Sequence, residues 1–366
     1  MNKYSVLEWR ESINIGVLVS DATNAWGDHA MKSFIDLQPN QVMDAVETIG
    51  VRCTGRMLQL NSMENRVYEI EIEEPMPQSM WPDPETQPAH PKLLVAKFYR
   101  PGRWSRQQIQ DEHSFLHQLY NTDLNVIAPL KKDNETLWLT PDEELLFCVY
   151  EKRAGRTPYD LPKEEWEKLG RLIARMHLAG ESSVAKHRLT LNPATYGDSN
   201  IQAVLASEYL PEKFKEAWET AANQAMLYIR PMFENVRNIR VHGDLHFGNV
   251  LYREQEGPLL LDFDDFLNGP AIQDIWLLTP GRDESSKEIR GWLLDGYEQM
   301  REFPYHEMPL VEALRTLRFI HFTAWISKRF DDPCFKITFP HFGSDEYWRE
   351  QLGDLYEQTQ LLSAGS

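Results

Sequence analysis

The stretch His242-Gly243-Asp244-Leu245-His246-Phe247-Gly248-Asn249-Val250-Leu251-Tyr252, followed by Leu259-Leu260-Leu261-Asp262-Phe263-Asp264-Asp265, decides how this 366-residue chain is read. A polar loop lies between short apolar segments, and an acidic cluster closes the second of them. Asp244 and Asn249 are five residues apart, and Asp262 follows thirteen later, across a turn at Gln255-Glu256-Gly257-Pro258. A hairpin of that length brings Asn249 beside the end of the Leu259 to Leu261 strand. One amide oxygen and one carboxylate then point into the same space. Such hard oxygen ligands, few in number, suit a Mg2+ that keeps water and phosphate oxygens in its shell.

Phosphoryl transfer asks a protein for positioning, metal-held phosphates and a base for the hydroxyl proton. Asp244 is placed for the last task, and Asp, four residues, Asn, then a later Asp matches the kinase catalytic-loop spacing. A single Asp–Asn pair in a loop is ordinary turn chemistry. The whole string, H-G-D-x-H-x-G-N with a strand, a turn and apolar-D-F-D, carries more information. His242 and His246 stand at i, i+4, but Gly243 disfavours a helix and no soft ligand is near. They read as loop-bracing residues rather than zinc ligands.

This run resembles the catalytic loop and metal segment of the aminoglycoside phosphotransferase and choline kinase superfamily, relatives of the protein kinases. More closely, the chain is similar to the bacterial stress response kinase A family of serine/threonine protein kinases. The matching segments are Leu60-Asn61-Ser62-Met63-Glu64-Asn65-Arg66-Val67-Tyr68, Val95-Ala96-Lys97-Phe98-Tyr99-Arg100-Pro101, the His242 to Asn249 string, and Asp262 to Asp274. The resemblance implies an α+β, bilobal protein-kinase-like fold with ATP and Mg2+ as cofactors. It implies Asp244 as proton acceptor, and Asn249 and Asp262 as Mg2+ ligands, with Asp262 in the place of the DFG aspartate. Lys97 would hold the α- and β-phosphates and pair with Glu112, and Ser62 would touch ATP. Backbone groups near Val149 to Glu151 would read the adenine edge.

The surrounding pattern fits two lobes. Val67 to Ile72 alternates apolar with polar, as a half-exposed strand does, and Leu93 to Tyr99 is a more apolar strand. Lys97 inside that strand is costly unless paired, or else snorkels at an edge. No glycine-rich nucleotide loop occurs; Asn61 to Asn65 takes its place between two strands, where a plain hairpin turn is the alternative. A helix is expected from Ser105 to Tyr120, then strands at Leu137 to Leu139 and Leu145 to Tyr150. Beyond a connector near Glu151 to Gly155 the chain turns mainly helical, with β segments returning only around the catalytic string. We therefore expect a small β-rich N-lobe at 37–152, a larger mainly α-helical C-lobe at 153–366, and a weakly patterned, poorly ordered extension at 1–36. Pro75 to Pro91 holds six prolines in seventeen residues and reads as an exposed hairpin insertion. The aromatic helix Leu317 to Ile326 reads mainly as core.

Composition sets the remaining bounds. The net charge is −18, from 38 Lys plus Arg against 56 Asp plus Glu, which opposes nucleic-acid binding. Three scattered cysteines argue against a disulfide framework and fit a reducing compartment. No signal-peptide layout or membrane-length apolar run occurs, so a cytoplasmic monomer without a membrane partner is expected. The acceptor reads two ways. Asp274 follows Asp262 by only twelve positions, too few for a long activation segment, which favours a small alcohol; the family resemblance favours Ser/Thr of proteins, the chain itself included. A catalytically inactive nucleotide-binding module is the third reading.

Overall fold

The computed structural model describes residues 27–82, 90–158, 160–253 and 256–364. The leading stretch 1–26, the segment 83–89 of the Pro-rich insertion and residues 254 and 255, at the start of the turn, lie outside them.

Two short helices, α1 (Gly27–Ile35) and α2 (Pro39–Glu47), precede a five-stranded antiparallel sheet. Its strands are β1 (Cys53–Leu60), β2 (Arg66–Ile72), β3 (Leu93–Phe98), β4 (Trp138–Leu139) and β5 (Leu146–Glu151), in the order β1-β2-β3-β5-β4. The alternation read in β2 is real: Tyr68, Ile70 and Ile72 are buried, while Glu69 and Glu71 are less so. The inward set packs with Leu94, Ala96, Phe98, Phe147 and Val149 into one N-lobe core. Burying such aliphatic and aromatic side chains contributes about 1.5–3 kcal/mol each before chain entropy opposes it.

Between β3 and β4 runs α3 (Arg106–Tyr120), started by Ser105, whose Oγ accepts the Gln108 N–H while Gln108 reaches back to the Ser105 N–H. That reciprocal cap fixes where the helix begins. Its two faces serve different cores. Ile109 packs with Tyr99, Trp104 and Cys148 under the sheet, while Phe115, Leu116 and Leu119 join the C-lobe core. Glu112 is thereby held beneath β3.

The C-lobe contains α4 (Lys163–Glu181), α5 (Ser199–Leu205), α6 (Glu212–Met232), α7 (Ile272–Trp276), α8 (Glu284–Tyr297), α9 (Leu310–Ser327), α10 (Pro333–Thr338) and α11 (Asp345–Ala364). Two small antiparallel ribbons are set among them. One pairs β6 (Ile239–Val241) with β9 (Leu267–Gly269); the other pairs β7 (Val250–Arg253) with β8 (Gly257–Leu260). The polar residues of the His242 to Asn249 string sit at the ends of these ribbons. The mixed fold, with a small antiparallel sheet and a mainly helical remainder, is the one expected.

Two expectations are corrected. Residues 27–36 are not an unstructured leader: α1 buries Phe34, with the guanidinium groups of Arg66 and Arg100 stacked 4.7 and 5.0 Å from its ring. Nor is the described part of the Pro-rich insertion simply exposed. Met76, Met80 and Trp81 are buried in the N-lobe core, and the Trp81 indole N–H donates to the Met76 carbonyl at 3.3 Å. Proline bars a strand there, but three large apolar side chains among the prolines still find the core. The aromatic helix behaves as expected, since within α9 only Glu312 and Arg318 escape burial. All three cysteines are free, and no helix among the described residues is long and apolar enough to cross a membrane.

Candidate active site

The β7–β8 hairpin sets the geometry. Val250 pairs with Leu260, and the Leu261 N–H donates to the Asn249 carbonyl at 2.9 Å, so Asn249 lies beside the chain entering Asp262. Asn249 donates its side-chain N–H to the main-chain carbonyl of Asp244 at 2.9 Å. With the nitrogen committed, the amide oxygen is the atom left to face the cleft. Asp262 then turns out of the strand in the left-handed region, at φ 55° and ψ 67°. Such a conformation costs a non-glycine residue of order 1 kcal/mol or more, and it occurs often at functional positions. It leaves the Asp262 side chain 47% exposed in a neighbourhood otherwise buried, with its carboxylate 3.6 Å from Lys97 Nζ.

Asn249, Asp262 and Lys97 line one interlobe cavity of about 630 Å³, together with Ser62, Glu112 and Glu151. That volume suits a nucleotide-sized ligand. Lys97 is almost fully buried, and its closest carboxylate is Asp264 at 2.8 Å, with Glu112 at 3.7 Å. Burial works to lower the ammonium pKa, but Asp264, Glu112 and Asp262 outweigh it and hold Lys97 charged. Glu112 is itself bonded by Arg188 at 2.9 Å. The pairing with Glu112 that the family resemblance implies therefore exists, but Asp264 is the nearer partner.

The His242 to Asn249 loop is braced from behind. Asp274, fully buried on α7, accepts the N–H groups of His242 at 2.8 Å and Gly243 at 2.9 Å, and His177 Nε2 holds the same carboxylate at 3.0 Å. Gly243 has φ +85°, and a Cβ there would come within 2.4 Å of the Asp265 carbonyl, so no other residue fits. His242 Nε2 donates to the Leu261 carbonyl at 2.7 Å, tying loop to hairpin. His246 Nδ1 accepts the Gly248 N–H at 3.0 Å. Both histidines brace the loop. Among the described residues, no group of three or more His, Cys, Asp or Glu is arranged around a metal-sized space.

Asp244 stands just beyond the cleft, buried, with Oδ1 bonded by Arg318 at 2.7 Å and Oδ2 at 3.5 Å from His246 Nε2. Burial alone would raise its carboxyl pKa; Arg318 and His246 reverse that and hold it well below the usual carboxylate range. The group is a carboxylate at neutral pH. Arg318 was missed from sequence because nothing local marks it.

The Asn61 to Asn65 turn is held by buried ion pairs rather than by glycine. The Glu64 carboxylate meets Arg329 Nε, Arg103 Nε at 3.1 Å and Arg100 Nε at 3.5 Å. Asn65 Nδ2 donates to Asp264 Oδ2 at 3.0 Å, and Arg103 also binds Asp264 and, at 2.6 Å, Asp265. Ser62 Oγ accepts the Asn65 N–H at 3.2 Å within the same turn. Val149 does not reach the cleft. Its side chain is in the sheet core and its carbonyl is taken by the Leu130 N–H at 2.8 Å, whereas Glu151 does line the cavity.

A two-lobed fold, a lysine held by carboxylates under a strand, and an Asn–Asp pair opening on an interlobe cavity together define a phosphotransferase of the kinase-like class. Residues 86–310 match the phosphotransferase enzyme family. Stress response kinase A of Escherichia coli strain K12 is 32% identical over 331 residues, 90% of this chain and 95% of that protein. The serine/threonine protein kinase RdoA of Salmonella typhimurium is 31% identical over the same shares. Among solved structures, amicoumacin kinase hAmiN in complex with AMP-PNP, Ca2+ and Ami has a TM-score of 0.60 at 21% identity, covering 82% of this chain and 89% of that one. The microcompartment-associated aminopropanol kinase has 0.58 at 17% identity, covering 90% and 96%; both show a common fold. The chain belongs to the phosphotransferase enzyme family and, within it, to the group of the stress response kinase A proteins.

Proposed function

We propose that this chain is an ATP- and Mg2+-dependent serine/threonine protein kinase in which Asp244 accepts the hydroxyl proton. The observation that carries this reading is the turn of Asp262 into the cleft beside Asn249 and within 3.6 Å of Lys97 Nζ. Two oxygens fit a small hard cation there, and one buried ammonium fits the phosphates beside it. When bound, the metal neutralises charge on the β- and γ-phosphates.

The residues of the chain supply the rest. Lys97, fixed by Asp264 and Glu112, orients the α- and β-phosphates. The Ser62 to Asn65 turn closes over the nucleotide from the N-lobe. An acceptor hydroxyl approaches at Asp244: its oxygen bonds to the γ-phosphorus, the bond to the β–γ bridging oxygen breaks and ADP leaves. The hydroxyl proton passes to the Asp244 carboxylate. A protein acceptor is supported by the names of the relatives above, which the chain matches nearly end to end.

Incubating the purified chain with γ-labelled ATP and Mg2+ in a heat-inactivated lysate that keeps its small metabolites, then separating proteins from metabolites, tests the acceptor. We expect label on Ser and Thr of proteins, the chain included. Label confined to small alcohols such as choline or homoserine would replace this reading with a metabolite kinase.

A further inference from the structure

Resting on the proposed role of Asp244 as base, we infer that Arg318 is a positioning residue that fixes which carboxylate oxygen of Asp244 meets the acceptor hydroxyl.

The backbone of Asp244 is rigid, but its carboxylate is not fixed by that alone. Asp274 and Gln273 clamp Gly243, the latter by a bond of 2.7 Å from its side-chain N–H to the Gly243 carbonyl. The terminal torsion of an aspartate is broad and two-fold, so the carboxylate plane still has to be set by its neighbours. His246 stands 3.5 Å from Oδ2, beyond hydrogen-bond length, and comes from the same loop. The charge-assisted bond from Arg318 to Oδ1, at 2.7 Å, is the short one.

The origin of that bond matters. Arg318 lies 74 residues from Asp244, on a helix of eighteen residues buried except at Glu312 and at Arg318 itself. A helix packed on all sides cannot shift its Cα positions independently of the C-lobe core. The guanidinium fork is planar and pre-organised, so little freedom is lost when it binds a carboxylate. Arg318 therefore refers the orientation of Asp244 to the rigid core rather than to the loop that carries it. With its side chain 26% exposed, Arg318 lines the same small pocket as Asp244. A base held this way keeps Oδ2 on the acceptor side, and a displacement of about 1 Å at such a position can cost on the order of 10²-fold in rate.

The test uses four variants of the full chain: Arg318→Gln, Arg318→Lys, Asp244→Asn and the double Arg318→Gln/Asp244→Asn. Each is assayed with Mg-ATP for self-labelling and for phosphate release with water as acceptor. We expect Arg318→Gln to lower kcat about 10- to 100-fold with KM for Mg-ATP nearly unchanged, and to lower the melting temperature somewhat because the buried Asp244 carboxylate loses its cation. Arg318→Lys should recover most of the loss, because a cation near Oδ1 is restored. In the Asp244→Asn background, Arg318→Gln should cost nothing more, since a residue acting through Asp244 has nothing left to act on. A full additional loss in that background, a raised KM at unchanged kcat, or wild-type kcat in Arg318→Gln overturns the inference. Should Arg318→Gln fail to fold, Arg318→Lys decides alone: a modest fall in kcat at constant KM supports the inference, and any change in KM opposes it. If Asp244→Asn itself retains the wild-type rate, the base assignment has failed, an outcome distinct from a silent Arg318→Gln beside an inactive Asp244→Asn.

Discussion

Replacing Asp244 with asparagine should slow phosphoryl transfer by on the order of 10²- to 10⁴-fold, the range expected for loss of a general base. The substitution is nearly isosteric, so it removes proton affinity and little else. Arg318 can still donate to the amide oxygen of the new side chain. Asn249 bonds the main-chain carbonyl of residue 244, not its side chain, so the metal face of the loop is untouched. Mg-ATP affinity should accordingly change by no more than about twofold, the pattern expected for a group that acts in the transition state alone. Calorimetric titration of Mg-AMP-PNP beside a rate assay measures both quantities on one preparation. A variant that binds nucleotide poorly, or one that turns over at the wild-type rate, would each contradict this role for Asp244.

Arg103→Met should lower stability by about 3–5 kcal/mol, the scale for breaking a buried pair and leaving its partner charged. Arg103 is buried and joins three carboxylates: Asp264, Asp265 at 2.6 Å and Glu64 at 3.1 Å. Methionine fills much of the same space but offers no charge, so Asp264 and Asp265 lose their nearest cation at once, while Glu64 keeps Arg329 and Arg100. Burial, and then repulsion from Asp264, already push the Asp265 carboxyl well above its usual value against the pull of Arg103. Without Arg103, Asp264 is left to Lys97 and Glu64 to Arg329 and Arg100, while Asp265 must take up a proton or draw in water to stay in the folded state. Native stability is typically ~5–15 kcal/mol, so the loss is a large share of the whole. Urea unfolding of both proteins at neutral pH measures it. The variant should also lose nucleotide affinity, because the Glu64–Asn65 turn is anchored through the same network. A difference below about 1 kcal/mol would mean that the network is structurally idle, as exposed ion pairs often are.

How much of this was legible in the sequence follows from which forces are local. Strands β2 and β3 and helix α3 announce themselves by period, and the β7–β8 hairpin follows from the length between Asn249 and Asp262. The residues that line the cleft from these elements, Lys97, Asn249 and Asp262, could be named in advance because each belongs to a short string. The partners that set their electrostatics could not. Arg318 sits in a helix whose sequence reads as aromatic core, and only folding brings it to Asp244. Arg103 and Arg329 look like ordinary surface charges until Glu64 is found between them. Asp264 was hidden by its neighbour: in an Asp-Phe-Asp run, spacing does not say which carboxylate approaches the lysine. Met76, Met80 and Trp81 show the same limit for packing, since prolines exclude a strand without saying what the side chains between them do. Val149 failed for a backbone reason, its carbonyl being used by a loop that no pattern ties to it.

The central claim is that Asn249 and Asp262 hold one divalent cation against the phosphates of a nucleotide bound under Lys97. Crystals of the chain grown with AMP-PNP and Mn2+, measured at the manganese edge, locate that ion directly by its anomalous signal. We expect a peak bonded to Asn249 Oδ1 and the Asp262 carboxylate at roughly 2.1–2.3 Å, with phosphate oxygens completing the shell. A manganese ion bound away from both residues, or a triphosphate lying outside the reach of Lys97, would contradict it.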